Sequence, residues 1–241
     1  MPGVWGCPPS FQSSPKNGGY RGLIVLNPLI SQEVYMKDNK ETAPIQLPKP
    51  RLKGDMSVEE AISKRRSVRD YKSDALTLEQ LSQLLWAGQG ITAQDFFRAA
   101  PSAGASYPLE LFVIAGNVKG LTAGVYHYNV KEHSLSLHMK GDLRNKLGIT
   151  AAFNQKCISQ APACISICAI YERTMKTYGK RGERYVHIDT GHAAENIALQ
   201  AVALGMATVM VGAFEDKKVS EILELDDELK PMYIIPVGKQ G

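Results

Sequence analysis

The chain carries none of the short signatures that announce a nucleotide, hydrolase or zinc-protease site: no Gly-x-Gly-x-x-Gly, no Walker loop, no Gly-x-Ser-x-Gly and no His-Glu-x-x-His. It is also poor in cysteine. Cys7, Cys157, Cys164 and Cys168 include no Cys-x-x-Cys pair and no metal-ligand spacing, and the last two lie in the apolar run 163–170. Buried thiols in a reducing compartment fit them better than a disulfide framework, so a cytoplasmic location is expected. Of the five histidines, His127, His133, His138, His187 and His192, only His127 and His138 are spaced to approach each other, across a hairpin. No metal site is expected from them. No apolar run reaches the roughly 18 residues that span a bilayer. The nearest, 22–30, is broken by Asn27-Pro28 and lacks a small-residue cleavage site, so neither a membrane span nor a secretory signal is expected. A net charge of +4, from 28 Lys and Arg against 24 Asp and Glu, is too mild to imply nucleic acid or anionic membrane as a partner.

What is present is enough for one core. With 241 residues, 44% of them hydrophobic, the chain fits one generous domain. Eight of its 13 prolines fall in residues 1–50, which reads as an extended or poorly ordered arm. The compact domain is expected over 51–241. Ser57-Val-Glu-Glu60 and Thr77-Leu-Glu-Gln80 have capping-box spacing and open helices through about Lys64 and Ala87. Strands follow at 109–115, 124–129 and 134–138, the last two joined by a polar turn. A short helix comes after Asp142, and the nearly unbroken apolar run 163–170 predicts a central strand covered on both faces. A long helix is expected over 184–204, then strands at 206–211 and 232–237 around the amphipathic stretch 217–225. These elements predict an α+β fold, an α/β/α sandwich with a mixed sheet flanked by helices.

Three stretches could carry chemistry. Lys64-Arg65-Arg66-Ser67-Val68-Arg69-Asp70-Tyr71 packs three guanidinium groups and a hydroxyl into five residues. On a continued helix Arg65 and Arg69 would share a face. Such donors suit a phosphate, and they equally suit a solvated helix C-terminus whose dipole they complement. Ala100-Pro101-Ser102-Ala103-Gly104-Ala105-Ser106-Tyr107-Pro108 is a loop of small residues, either an ordinary tight turn or a backbone cradle for a ligand. Val211-Gly212-Ala213 ends a strand, the position where open sheets tend to bind ligands.

Taken in order, these segments resemble the nitroreductase family of flavin enzymes, and within it the SagB-type dehydrogenases. The resemblance covers roughly 55–240 and rests on seven stretches. They are 65–71, 81–91, 100–110, Gly124-Val-Tyr-His-Tyr128, Tyr178-Gly-Lys-Arg-Gly-Glu-Arg-Tyr185, Gly191-His192 with Asn196, and Pro236-Val-Gly238. No resemblance covers 1–50.

The resemblance implies a dimeric nitroreductase-like fold that binds FMN. It gives Arg65, Arg66, Ser67 and Arg69 the phosphate and ribityl chain. Pro101, Ser102, Ala103, Gly104 and Ser106 are implied to reach the flavin of the partner subunit, so that each site lies at the interface of a homodimer. Val211, Gly212 and Ala213 are implied to lie over the ring, with a backbone N–H toward N5, where a donor stabilises arriving electron density. Asn154 or Gln155 is implied at the pyrimidine edge, and Lys239 as a further phosphate cation. NADH or NADPH is the implied electron donor and a small molecule such as a quinone or nitroaromatic the acceptor. Tyr178 is the side chain implied as a proton donor.

Two departures bear on substrate. Relatives that oxidise azoline rings in peptides carry adjacent Lys and Tyr where this chain has Thr177-Tyr178, and Glu195 stands where relatives often have Gln. The alternatives to a simple reductase are a SagB-type dehydrogenase acting on a ring in a peptide or other natural product, and a non-catalytic flavin-binding protein.

Overall fold

The computed structural model describes residues 43–93, 96–150 and 155–241. In chain order the elements are β1 (Ile45–Gln46), α1 (Val58–Lys64), α2 (Leu78–Gln89), β2 (Ile91–Ala93), β3 (Phe97–Arg98), β4 (Leu109–Ala115), β5 (Gly124–Asn129), β6 (Ser134–Lys140), α3 (Arg144–Thr150), α4 (Lys156–Gln160), β7 (Ala163–Ile170), α5 (Tyr171–Tyr178), α6 (Arg181–Ala203), β8 (Ala207–Thr208), α7 (Asp216–Ile222) and β9 (Leu229–Gly238).

The helix starts form for local reasons. Ser57 Oγ accepts the Glu60 N–H at 3.1 Å, while the Glu60 carboxylate turns to Lys64 Nζ. At α2 the capping box is complete: Thr77 Oγ1 accepts from Gln80 N at 3.2 Å and Gln80 Oε1 accepts from Thr77 N at 3.0 Å.

Seven strands form one sheet in the order β1-β6-β5-β4-β7-β9-β8, and β2 pairs with β3 apart from it. Every pair of named strands is antiparallel. Parallel pairing is confined to isolated bridges, Ser67 with Thr208 at the β8 edge and Leu76 with Val118 outside the named strands. β4 and β7 are buried at every position, as an apolar run covered on both faces requires. Leu109, Leu111, Val113 and Ala115 of β4 and Ala163, Ile165, Ile167 and Ala169 of β7 share a core with Leu81, Leu84 and Leu85 of α2 and with Val186, Ala193, Ala194, Ile197 and Ala201 of α6. The alanines keep α6 close to the sheet. Across the sheet, α4 and α7 pack on β9 and α3 packs on both helices. Cys164 Sγ reaches the Ile158 carbonyl at 3.4 Å on that side.

Several boundaries differ from the sequence reading. The first 42 residues of the expected 1–50 arm lie outside the described residues. Ile45–Gln46, within that stretch, pairs with β6, and Leu47 is buried, so ordered backbone begins before residue 51. The strand expected at 206–211 is two residues long, with Val211 rejoining β9 opposite Ile234. β9 runs longer than expected, with Pro231 accommodated beside a register shift opposite Ile167 and Cys168. No helix among the described residues is long and apolar enough to cross a membrane.

Candidate functional site

The basic motif does not continue α1. The helix ends at Lys64, Arg65 turns to φ −57° and ψ 126°, and the chain runs extended along the sheet edge. Val68 N donates to the Thr208 carbonyl at 3.0 Å and Ser67 bridges Thr208 in parallel. Arg65 and Arg69 therefore do not share a helix face; pairing with β8 overrides the helical spacing. Tyr71 fastens the segment. Its hydroxyl donates to the Val68 carbonyl at 2.6 Å and to that of Pro236 at 3.3 Å. Its ring lies on Gly238, where a Cβ would come within 3.1 Å of Tyr71 Cδ1 and 2.8 Å of Pro162 Cδ. Gly238 is needed for that close approach.

The four motif residues face different neighbours. Arg66 turns back to cap α1, donating to the Ser63 carbonyl at 2.9 Å and its neighbour's at 2.7 Å. That is the helix-end role, in part. Arg65 Nε lies 3.7 Å from Glu195 Oε1 on α6. Arg69 has no carboxylate partner among the described residues, and neither has the exposed Ser67 hydroxyl any partner there. The Arg69 guanidinium is close enough to Cys157 to draw its thiol down, although burial still leaves that thiol raised. Cys157 Sγ is 3.7 Å from Gln155 Oε1, so Gln155, at the start of α4, belongs to the same neighbourhood. Asn154 lies outside the described residues.

Lys239 joins this edge as well. Gln240 bridges Tyr71, Lys72 N donates to the Lys239 carbonyl at 2.9 Å, and Lys239 Nζ pairs with Asp74 Oδ1 at 3.0 Å. Its charge is already partnered. Farther along, Val211 is held by Ile234 in both directions, at 3.0 and 2.9 Å. Gly212 and Ala213 are exposed, and among the described residues their N–H groups have no partner. Thr208, beside Ser67, is five residues from Ala213, at most about 17 Å of extended chain.

The small-residue loop forms a second group, against α5 and α6. Ala103 N donates to Asp189 Oδ2 at 3.3 Å, Ser106 Oγ and Thr174 Oγ1 are 2.8 Å apart, and Ser102 Oγ accepts the Tyr107 N–H at 3.0 Å. Burial raises the Asp189 carboxyl, with Ser102 and the Ala103 N–H opposing the shift. Gly104, Ala105 and Tyr107 all have positive φ, at 60°, 52° and 43°. For the two non-glycines such backbone costs about 1 to 2 kcal/mol each and persists only where the surroundings hold it. Pro101 and Gly104 are exposed at the tip. A Cβ on Gly104 would meet Tyr178 Oη at 2.7 Å. Gly104→Ala is therefore expected to displace the Tyr178 ring and lower stability by about 1 kcal/mol, a fall of roughly 2–4 °C in Tm by calorimetry.

Tyr178 is 36% exposed and packs edge-on to Tyr185 with centroids 5.0 Å apart. Lys176, two residues earlier on α5, points well around the helix from it.

A buried trio beneath this loop escaped the sequence reading. Glu110 Oε1 lies 2.6 Å from Arg173 NH1 and its Oε2 lies 2.8 Å from His127 Nε2. Arg173 also donates to the Tyr107 carbonyl at 3.0 Å, and the Arg98 guanidinium stands 4.7 Å over the Tyr107 ring. Burial pushes the Glu110 carboxyl up, but His127 and Arg173 outweigh it and hold it at about 2. The signal was a carboxylate inside the apolar strand 109–115. His127 and His138 each pack against the Phe112 ring, with centroids 5.0 and 5.4 Å from it. Among the described residues no group of three metal-capable side chains converges.

The donor set along the β8 edge fits a flavin mononucleotide. Cation and hydroxyl donors with no partner among the described residues stand at one end, and backbone N–H groups likewise without one at the other, which suits a phosphate tail and an electron-accepting ring.

The family model described as Nitroreductase family matches residues 62–239. A candidate nitroreductase from Methanocaldococcus jannaschii is 42% identical over 200 residues, 83% of this chain and 98% of that protein. The trifolitoxin-processing protein TfxB of Rhizobium leguminosarum is 31% identical over 140 residues, 56% of this chain and 37% of TfxB. Among solved structures, a candidate nitroreductase from Ralstonia eutropha superposes with a TM-score of 0.73 at 27% identity, covering 83% of this chain and 90% of that one.

Proposed function

The chain belongs to the nitroreductase family of oxidoreductases, and from that premise we propose that it binds FMN along the β8 edge and passes electrons from NADH or NADPH to a small organic acceptor. The observation that carries the reading is the run of donors from Ser67 and Arg69 to Gly212 and Ala213 that have no partner among the described residues. Bound FMN supplies the hydride and electron chemistry itself. Ser67 and Arg69 hold the phosphate, with Arg65 recruited from Glu195 and Arg66 adding charge from the end of α1. Lys239 contributes once it leaves Asp74. Gln155, or Asn154 beside it, meets the pyrimidine edge. The Gly212 and Ala213 N–H groups would favour negative charge on a flavin ring bound beside them. Val211, pinned by Ile234, keeps that backbone in place. Tyr178 Oη is the side-chain proton source at the loop.

Pro101, Ser102, Ala103, Gly104 and Ser106 lie against α5 and α6. In a site completed across a two-fold axis each loop serves the partner's flavin. Exposed apolar side chains on α1 and α6, Val58, Ile62 and Ile188, give such a homodimer a surface to bury.

A second reading is SagB-type dehydrogenation of a ring in a peptide or other natural product, and the likeness to a trifolitoxin-processing protein speaks for a peptide substrate. Thr177 before Tyr178 weighs against azoline oxidation. Anaerobic stopped-flow mixing decides among the readings. NADH or NADPH is expected to bleach the flavin absorbance, and a quinone or nitroaromatic to restore it. An FMN-loaded protein reduced by neither nucleotide contradicts the reductase reading and leaves a flavin carrier or a partner-dependent dehydrogenase.

A further inference from the structure

The cationic end of the β8 edge contains a carboxylate. Glu195, on α6, stands 3.7 Å from Arg65 Nε, with the two side chains 51% and 33% exposed. Exposed pairs of this length add little to stability, and Glu195 has no other ion pair or side-chain hydrogen bond among the described residues. Packing of α6 is carried by its neighbours Ala194 and Ala198, which are buried. Among the described residues nothing requires a negative charge at 195.

For a phosphate the charge matters. A carboxylate beside Arg65 engages the guanidinium before the ligand arrives and repels the phosphate dianion once it is bound. The uncharged part of a flavin does not feel that repulsion. Resting on the flavin reading above, we propose that Glu195 is a specificity-determining residue of the cofactor site: it shares Arg65 with the incoming phosphate and so narrows the preference for phosphorylated over unphosphorylated flavin.

The magnitude follows from Coulomb's law. A carboxylate and a dianion sharing one guanidinium, screened as at a protein surface, change affinity by about three- to tenfold at low ionic strength. Ser67 and Arg69 remain to hold the phosphate, so Glu195 tempers binding and does not abolish it.

The test is titration of FMN and of riboflavin into the flavin-free full chain, followed by quenching of flavin fluorescence, for the parent protein, E195Q and E195A. Both variants are expected to bind FMN about three- to tenfold more tightly and riboflavin unchanged, with the gain shrinking as salt is added. A purely structural role for Glu195 would move both ligands together. Equal shifts for FMN and riboflavin, an unchanged FMN affinity, or weaker FMN binding would each overturn the proposal. If the parent chain binds neither flavin, the flavin reading itself fails and this proposal falls with it. Parent binding with unaltered variants removes only the role of Glu195.

Discussion

Replacing Arg65 and Arg69 together with Ala is expected to weaken FMN binding by between about 10² and 10⁴. In the proposed site each guanidinium gives the phosphate a charge-assisted hydrogen bond, about 1.5–3 kcal/mol apiece, and each 1.4 kcal/mol is a factor of ten. The protein without cofactor should scarcely notice. Arg69 has no carboxylate partner among the described residues, and Arg65 has only the exposed contact with Glu195. The backbone between them is held independently, by Val68 on Thr208 and by the Tyr71 hydroxyl. Melting temperature without flavin should stay close to the parent's while fluorescence titration shows the loss. Arg66→Ala should do the reverse in part, since its guanidinium caps α1 through the Ser63 and Arg65 carbonyls. An unchanged FMN affinity in the double variant would remove this segment from the site.

Glu110→Ala should be the most damaging single change to stability. It strips a buried carboxylate from Arg173 and His127, leaving a desolvated guanidinium with a side chain only 11% exposed. Breaking a buried pair on one side costs about 3–5 kcal/mol, or a fall of roughly 10 °C in Tm for a chain of this size. The loop above should loosen with it, because Arg173 also holds the Tyr107 carbonyl at a residue of positive φ. The same group sets an acid limit. Its folded value, about 2, lies below the ordinary 4.5. The stability it contributes is fully present above the ordinary value and is lost as pH falls from there through the folded value. Thermal melts of the parent protein should decline over that window, and the Glu110→Ala protein should lose less on acidification. An equal acid slope in both proteins would contradict the assignment.

Much of the scaffold was readable because its signals are local. β4, β5 and β7 match the expected ranges, since unbroken or alternating apolar runs leave few alternatives. α2 announces itself through Thr77 and Gln80. The end of α1 at Lys64 is where the sequence puts it, but the partner of the extended segment that follows, Thr208, is remote in sequence, so no local pattern reveals that pairing. β8 was overestimated for the converse reason. Apolar residues continue through Val211, but the ladder does not. The Glu110 trio draws on β4, β5 and α5, so no window of sequence contains it. The contact between Arg65 and Glu195 joins α6 to the end of α1 in the same way.

In the proposed site the donors from Ser67 and Arg69 to Gly212 and Ala213 hold FMN. Reconstitution of the full chain with FMN, removal of free ligand, and measurement of the retained flavin by absorbance and mass test it directly. One FMN per chain, lost in the Arg65 and Arg69 double variant, is the predicted result. A colourless protein that retains no flavin after reconstitution would contradict it.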